Sequence, residues 1–393
     1  MEETKNKNIK KIILGVIIVG VIIGLTVCFV IAYNNTSSDT TSSSNKTATN
    51  NSKNMNITSG GNYDLSGEYE SITVNTSEEV TLNLNGVEIT NSSGPAINIE
   101  KAKKVTIVLS GTNKITSTTT EDLDGAIYSK ADLVLAGTGS LEVKSNYDGI
   151  VSKDTLIIKN GTYTINADDD GIRGKDSVEI SDGTFIINAG GDGIKSSNDE
   201  DTSLGYVTIT GGTFNITAKS DGIQGITKVT ISGGTFNISA AEGIEATYVK
   251  IDDGTINIEA TDDGINASKK SNIGTPTVEI NGGNITIKMG QGDTDGIDAN
   301  GNIYINGGTI NITGNSPFDY DGTAEKKGGT IYVNGTETNT ITNQMMGGGM
   351  KGGMQGQMNQ NGEMPNSGEM QNNGERQMSP NEKMQMRGGT RGR

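Results

Sequence analysis

The chain has 393 residues, with 31 Lys and Arg against 47 Asp and Glu, a formal net charge of −16, and neither His nor Trp. The absence of His and the single Cys exclude His-dependent nucleophilic catalysis, imidazole metal sites and intramolecular disulfides. The negative charge argues against a nucleic-acid partner, because phosphate binding requires clustered Lys and Arg. Residues 61–343 hold 40 of the 47 acidic and 19 of the 31 basic residues, a net −21. We therefore expect the function to reside there.

The N-terminus carries an uncharged apolar run, residues 12–33, which follows four lysines between positions 5 and 11. About 20 apolar residues are enough to span a bilayer, and the preceding lysines predict a cytoplasmic N-terminus. The pattern predicts a single-pass membrane protein in which residues 1–33 form a cytoplasmic stub and a transmembrane or signal segment, and the rest is extracellular. Two alternatives stay open. A signal peptide could be cleaved after Ala32, which would secrete the chain, or Cys28 could mark a lipoprotein. All three export the chain.

Two low-complexity segments flank the acidic region. Residues 34–60 are nearly all Asn, Ser, Thr, Lys and Gly, and they predict a flexible linker because they cannot bury apolar surface. Residues 344–393 are rich in Met, Gly, Gln and Asn, and their Gly content disfavours a helix, so we interpret them as a disordered tail. The alternative for the tail is a soft-metal site for Cu(I), built from regularly spaced thioethers.

Three motifs recur in phase through residues 61–343. An Asp-Gly or Glu-Gly pair, usually followed by Ile, recurs about every 22 residues, and a Val-x-Ile motif and then a Gly-Thr-Phe or Gly-Thr-Ile motif follow it. Each repeat therefore predicts three short strands separated by turns, with the alternation and the β-branched residues of half-buried strands. The fixed phase predicts an all-β fold, a right-handed parallel β-helix with about 22 residues per coil. Residues 64–123 are less regular and predict atypical first coils.

Alternation within the third strand assigns its two sides. In residues 213–218, with the sequence TFNITA, we expect Phe, Ile and Ala to point inward and the polar residues to point outward. Coils stack about 4.8 Å apart, which predicts an internal ladder of Tyr163, Phe185, Phe214, Phe236, Ile256, Ile285 and Ile310. The outward Thr and Asn side chains form a polar surface, which could bind polysaccharide or could simply be solvated.

The repeated turn before Gly-Ile concentrates the acidic residues. Stacked carboxylates repel one another, and Ca²⁺ accepts six to eight oxygen ligands without strict geometry, unlike Mg²⁺. Because Asp-Gly is also a common turn dipeptide, a single copy would carry no such implication, but the repetition predicts structural Ca²⁺ at some of these turns. The candidate metal ligands are Asp148, Asp168, Asp169, Asp170, Asp192, Asp221, Asp262, Asp263, Asp293 and Asp295.

The runs Asp169-Asp170-Gly171-Ile172-Arg173-Gly174-Lys175-Asp176-Ser177 and Gly190-Gly191-Asp192-Gly193-Ile194-Lys195-Ser196 resemble the exported clostridial carbohydrate-binding domain family. The likeness spans roughly residues 61–343. The resemblance implies a pectate-lyase-like parallel β-helix with bound calcium, which binds cellulose-like, pectin-like or acidic polysaccharides without established catalysis. It also implies that the Asp turns supply the calcium ligands.

These observations predict a calcium-binding, non-catalytic polysaccharide-binding β-helix on the cell surface. The first alternative is a calcium-dependent lyase or hydrolase acting on uronate polymers. A lyase needs a strong base beside the metal, and Arg173 is the candidate because it is the only Arg between residues 61 and 343. Its other interpretation is a cation paired with an acidic turn. The second alternative is a surface adhesin or wall-structural solenoid without sugar specificity.

Overall fold

The computed structural model of the chain describes residues 46–47, 53–118, 123–290 and 294–343. These residues belong to one compact unit, residues 1–347, and a second unit, residues 348–393, lies outside the described part. The predicted transmembrane segment and the Met-rich tail also lie outside it. Among the described residues there is no helix with the length and apolarity needed to cross a membrane.

Three strand ladders build the described part of the chain, and we call them faces 1, 2 and 3. Face 1 carries the Asp-Gly-Ile motif and comprises β2 (Asn54–Ile57), β4 (Ser71–Asn75), β6 (Ile97–Lys101), β9 (Gly125–Ser129), β12 (Asp148–Ser152), β15 (Ile172–Gly174), β18 (Ile194–Ser196), β21 (Asp221–Gly225), β24 (Glu242–Ala246), β27 (Ile265–Ala267), β30 (Asp295–Ala299) and β33 (Ser316–Tyr320).

Faces 2 and 3 carry the Val-x-Ile and Gly-Thr-Phe motifs. Face 2 comprises β7 (Lys104–Ser110), β10 (Leu133–Gly137), β13 (Thr155–Ile158), β16 (Ser177–Ile180), β19 (Tyr206–Ile209), β22 (Lys228–Ile231), β25 (Tyr248–Ile251), β28 (Thr277–Ile280), β31 (Asn302–Ile305) and β34 (Ala324–Lys326). Face 3 comprises β8 (Thr112–Ser117), β11 (Ser140–Ser145), β14 (Thr162–Ala167), β17 (Thr184–Ala189), β20 (Thr213–Ala218), β23 (Thr235–Ala240), β26 (Thr255–Ala260), β29 (Asn284–Met289), β32 (Thr309–Thr313) and β35 (Thr330–Val333).

Each strand pairs in parallel with the equivalent strand of the next coil. On face 1, for example, Ile150 pairs with Ile172 and Ile172 pairs with Ile194. Among the described strands the exception is the hairpin of β35 with β36 (Thr336–Thr338), which is antiparallel. The fold is therefore all-β and mostly parallel, a solenoid as predicted, while its right-handed sense stays a prediction.

The first coils differ from the regular repeat. The strands β3 (Gly61–Tyr69) and β5 (Glu79–Asn91) are long and run through faces 2 and 3 without a break, and β1 (Lys46–Thr47) pairs with β3. Face 1 already begins at β2, inside residues 34–60, which the sequence predicted to be linker. The reason is a short alternation hidden in polar sequence, in which Met55 and Ile57 are buried in the core.

The core is a narrow column of inward side chains. In β20 the side chains of Phe214, Ile216 and Ala218 are buried and the intervening ones are exposed, as the alternation predicts. Tyr163, Phe185, Phe214 and Phe236 stack with ring centroids 5.0, 4.6 and 4.6 Å apart, and isoleucines continue the ladder. The predicted internal ladder is confirmed. A few apolar side chains per coil are enough to fill this narrow column, which explains the modest hydrophobic content.

Truncation of the ladder should destabilise the solenoid locally. Phe214→Ala removes a fully buried ring that stacks on both sides, and we expect it to lower the free energy of unfolding by about 3–5 kcal/mol. The matched control is Thr213→Ala, one residue away on the exposed side, with an expected change within about 0.5 kcal/mol. Urea denaturation followed by circular dichroism measures both variants. Equal free energies of unfolding for Phe214→Ala and Thr213→Ala would contradict the assignment of Phe214 to the internal ladder.

Candidate functional site

The corner that leads into face 1 stacks one carboxylate per coil. The side chains of Asp148, Asp170, Asp192 and Asp221 are only 1% to 5% exposed. In three successive steps, the backbone N–H of the Asp in one coil donates to Oδ1 of the Asp in the preceding coil, at 3.0, 2.8 and 2.9 Å. The same bond joins Asp295 to Asp263 at 3.1 Å. The repeated Asp therefore has a structural task, which is to satisfy a buried backbone donor in the neighbouring coil.

The glycine of the Asp-Gly pair is required by close packing. A Cβ atom added at Gly171 would lie 2.5 Å from Cγ2 of Ile187 and 2.6 Å from the carbonyl oxygen of Gly193. No side chain larger than hydrogen fits there without a shift of backbone. The tight corner carries the Asp carboxylates to the outer side of face 1, next to the residue that follows Gly-Ile.

In the first part of this ladder the carboxylates are matched by cations. Arg173 bridges Asp124 and Asp148, with its Nε 2.7 Å from Oδ2 of Asp148. Lys195 lies 2.7 Å from Asp192 and 3.5 Å from Asp170. Both cations occupy the position after Gly-Ile, so their side chains lie over the stacked carboxylates. Burial raises the pKa of Asp148 to about 7 although Arg173 opposes the rise.

In the next coils the same position carries no cation. Gln224 and Glu245 follow the corner residues Asp221 and Glu242, and the three acids Asp221, Glu242 and Glu245 place carboxylate oxygens within 4.8 Å of one another. We call these three residues the acidic cluster. The ammonium group of Lys270 lies 2.5 Å from Glu245 and partly balances the charge of the cluster.

Burial and mutual repulsion raise the pKa of two carboxyl groups of the acidic cluster. Burial is the main cause that raises the pKa of Asp221 to about 8, with Asp192 and Glu245 adding to it. Burial and Glu245 raise the pKa of Glu242 to about 7. Two coils beyond Glu245, burial and Asp263 raise the pKa of Asp298 to about 7. This part of face 1 is therefore a region where negative charge is costly and a cation would be stabilising.

Asn266 extends the acidic cluster along face 1. It pairs in register with Glu245 on one side and Asp298 on the other, and it is only 7% exposed. Its Nδ2 donates to Glu242 at 3.1 Å, while its Oδ1 is buried and has no hydrogen-bond partner among the described residues. A buried amide oxygen without a donor is rare and costs free energy. Its position next to Glu242 leaves this oxygen available to an electron-poor group.

The structure separates the predicted metal ligands into three groups. Asp148, Asp170, Asp192, Asp221, Asp263 and Asp295 lie on the ladder, whereas Asp168, Asp169 and Asp262 are exposed at the preceding turn. An oxygen of Asp169 still lies within 4.8 Å of oxygens of Asp148 and Asp170. Asp293 lies outside the described residues. Calcium occupancy stays a prediction for all of them.

Sequence reasoning omitted several residues of the site. The predicted ligands do not include Glu242, Glu245, Asn266 and Asp298, because that prediction depends on the aspartates that precede Gly. The sequence feature that identifies these residues is the position that follows Gly-Ile. The side chain at this position faces the same surface as the corner acid. The residue there is Arg or Lys in two successive coils and is Gln, Glu, Asn and Asp in the next four. The charge balance of face 1 is encoded at that position.

Arg173 should act as a structural cation, since it is held by two carboxylates. Arg173→Met leaves the buried Asp148 without its cation, and removal of one partner from a buried pair costs about 3–5 kcal/mol. The double variant Arg173→Met with Asp148→Asn should regain most of that loss, because Asp124 keeps Lys153 at 3.1 Å and the Asn oxygen still accepts a backbone N–H. Thermal and urea denaturation of the single and the double variant measure the loss of stability and its recovery. A double variant as unstable as the single one would contradict the pairing.

The acidic cluster should make stability depend on pH. Asp221 has a folded pKa of about 8 and Glu242 has a folded pKa of about 7, above the value near 4 of an unfolded chain. The folded state therefore binds more protons, and the stability they contribute is complete below about pH 4 and lost as the pH rises through about 8. In excess EDTA we expect the free energy of unfolding to fall between pH 5 and pH 9. Asp221→Asn with Glu242→Gln should flatten this slope, and an unchanged slope would contradict the assignment.

Known proteins are similar in sequence to this chain over most of its length. The model of the family described as carbohydrate-binding domain-containing protein matches residues 51–293 and 240–390. The solved polysaccharide lyase-like protein from C. thermocellum, a gadolinium derivative, is 37% identical, with 52% of this chain and 87% of that chain covered and a TM-score of 0.47. No curated protein matches the sequence. The family that the sequence motifs resemble is thereby confirmed: with most of its length matched, the chain belongs to the carbohydrate-binding domain-containing proteins.

Proposed function

We propose that the protein is a calcium-binding, non-catalytic polysaccharide-binding solenoid displayed on the cell surface. The acidic cluster on face 1 is the observation that carries this proposal. Three carboxylates lie within 4.8 Å of one another with one lysine to balance them, beside the buried amide oxygen of Asn266. Membership of the carbohydrate-binding family supports the polysaccharide as partner, and the apolar run of residues 12–33 supports export and attachment to the membrane.

The donor set fits Ca²⁺ better than other cations. All of the donors are oxygen atoms, which excludes the thiolate and imidazole sites preferred by zinc and copper. Calcium tolerates irregular arrangements of six to eight oxygens, whereas Mg²⁺ requires a near-ideal octahedron. Asp221, Glu242 and Glu245 would hold the ion, with Asn266 able to add its Oδ1. The remaining ligand positions would be open to water or to the carboxylate of an acidic sugar.

A non-catalytic role agrees with the surroundings of Arg173. Burial alone would lower the pKa of its guanidinium, but Asp148 and Asp124 together raise the pKa above its ordinary value. A proton held this firmly is not one that a general base gives up. Arg173 also lies in the part of face 1 where cations pair with the stacked carboxylates. Its ion pairs with Asp148 and Asp170 occupy the N–H donors that a substrate carboxylate would need.

Binding of polygalacturonate to the purified full-length chain tests the proposal. We expect Ca²⁺ to raise the midpoint of thermal unfolding and to be required for binding, and excess EGTA to abolish both effects. Asp221→Asn with Glu242→Gln should lose the calcium response. Asp182→Asn, at an exposed turn outside every group of predicted ligands, is the control and should keep it.

Three outcomes would contradict the proposal. Calcium that leaves both the unfolding midpoint and polygalacturonate binding unchanged would exclude the metal site. Absence of binding to every glycan offered would favour the adhesin or structural solenoid. Release of an unsaturated uronate product, detected by its ultraviolet absorbance and lost in Arg173→Ala, would identify a lyase.

A further inference from the structure

A cation of the acidic cluster is carried by a loop that lies outside the strand ladders. In the coil of β24 and β25, Thr247 alone connects face 1 to face 2, whereas in the next coil nine residues, 268–276, connect β27 to β28. We call these nine residues the inserted loop. It contains Lys269, whose side chain is exposed, and Lys270, whose side chain is half-buried. The insertion therefore adds two lysines to a part of face 1 in which the strands carry acids.

Hydrogen bonds fold the inserted loop back over the preceding coil. The backbone N–H groups of Lys270 and Ser271 donate to Oγ1 of Thr247 at 3.1 and 2.9 Å. Thr247 is fully buried, and its hydroxyl donates to the carbonyl oxygen of Ile226 at 2.9 Å. One buried hydroxyl thus anchors the loop. This anchor places Lys270 over Glu245, which lies two residues before Thr247 in the same coil.

The inserted loop contacts both carboxylate oxygens of Glu245. The Ser268 hydroxyl donates to Oε1 at 2.7 Å, and the Lys270 ammonium lies 2.5 Å from Oε2. Glu245 is only 5% exposed and also accepts from Gln224 at 3.2 Å. The charge of Lys270 reaches Glu242 as well, since it opposes the rise that burial causes in the pKa of that carboxyl group. A metal ion that takes an oxygen of Glu245 has to replace contacts that the inserted loop makes.

Lys270 differs from the cations in the first part of the ladder. Arg173 and Lys195 belong to strands of face 1, and each bridges carboxylates of two coils. Their departure would leave two carboxylates without a cation while the backbone stayed fixed by parallel pairing. Among the residues that the structure describes, Lys270 forms an ion pair with Glu245 alone. Its ammonium is therefore the one that can leave face 1 together with its own segment of backbone.

We propose that Lys270 is a tethered cation that competes with calcium for the acidic cluster, and that its ammonium and the inserted loop leave Glu245 when the metal binds. Two cations on one carboxylate repel each other, so the ammonium and the metal ion exclude one another. The apparent affinity for calcium is reduced to the share of chains in which the ammonium has left the site. The inference rests on the proposed calcium site and adds how the chain itself regulates it.

The exchange ties the position of the inserted loop to the calcium concentration. Calcium sites of extracellular modules commonly have dissociation constants of about 10⁻⁴ to 10⁻³ M, and fewer or weaker charges shift a site toward this range. An ammonium that has to be displaced weakens the attraction of three carboxylates for a divalent ion. The loop is consequently held on face 1 at low calcium and released at high calcium.

Calorimetric titration of the full-length chain with calcium chloride tests the competition. Lys270→Met removes the ammonium and should raise the affinity for calcium by about tenfold, an ordinary size for the coupling between two sites. Lys270→Arg keeps a cation on Glu245 and should bind calcium no more tightly than the native chain. Lys269→Met removes an exposed charge from the same loop and is the matched control, with an expected change within about twofold at physiological ionic strength.

Acetylation of the native chain by trace acetic anhydride measures the displacement itself and requires no variant to fold. In excess EGTA, mass spectrometry should show slower modification of Lys270 than of Lys269, because the Lys270 ammonium is paired with a buried carboxylate. Saturating calcium should raise the rate at Lys270 to that at Lys269 and leave Lys269 unchanged.

The results separate this inference from the proposed function. Equal calcium affinity of the native chain and Lys270→Met overturns the competition and leaves the calcium site in place. Higher affinity in Lys270→Met, without faster acetylation of Lys270 in the native chain, reports a field effect alone and overturns the displacement. Calcium binding that appears only in Lys270→Met supports the inference while the proposed function fails for the native chain. Absence of calcium binding in both chains overturns the two proposals together.

Discussion

Parallel pairing of each strand with its equivalent in the next coil is the constraint on which the rest of this structure depends. It fixes the separation of equivalent residues at about 4.8 Å and forces like side chains to stack on like. For the column of Tyr163, Phe185, Phe214 and Phe236 this repetition is favourable, because stacked rings exclude water and touch on both faces. For charged side chains the same repetition is unfavourable, and the chain has to balance it.

Face 1 balances its stacked carboxylates in two different ways. Backbone N–H groups satisfy one oxygen of most corner aspartates, and Arg173 and Lys195 neutralise the second oxygen in the first coils. From Asp221 onward the neutralising cations are replaced by Gln224, Glu245 and Asn266. The backbone of the repeat is unchanged while the residue after Gly-Ile changes from basic to acidic or neutral, so a uniform structural repeat contains a segment in which negative charge is concentrated. Solenoids can vary function in this way, since substitutions at outward positions leave the core column intact.

Much of the fold follows directly from the sequence. The in-phase motifs specify three strands per coil, and the alternation of residues 213–218 specifies which side chains enter the core, because both depend only on local periodicity. The sequence does not predict where the solenoid starts, because the first strand has only two apolar residues, Met55 and Ile57, within a polar segment. The Asp corners were correctly identified as a stack, but their main partner proved to be the backbone of the neighbouring coil.

The sequence by itself determined the solenoid, its aromatic core and the concentration of negative charge in stacked turns, because all three repeat at a fixed period. Only the tertiary structure decided which acids meet. It paired Arg173 with Asp124, which lies 49 residues away, and placed Lys270 against Glu245 of the acidic cluster. The physical reason is register, since contacts between coils depend on how many residues each intervening loop inserts, and no local pattern records that alignment.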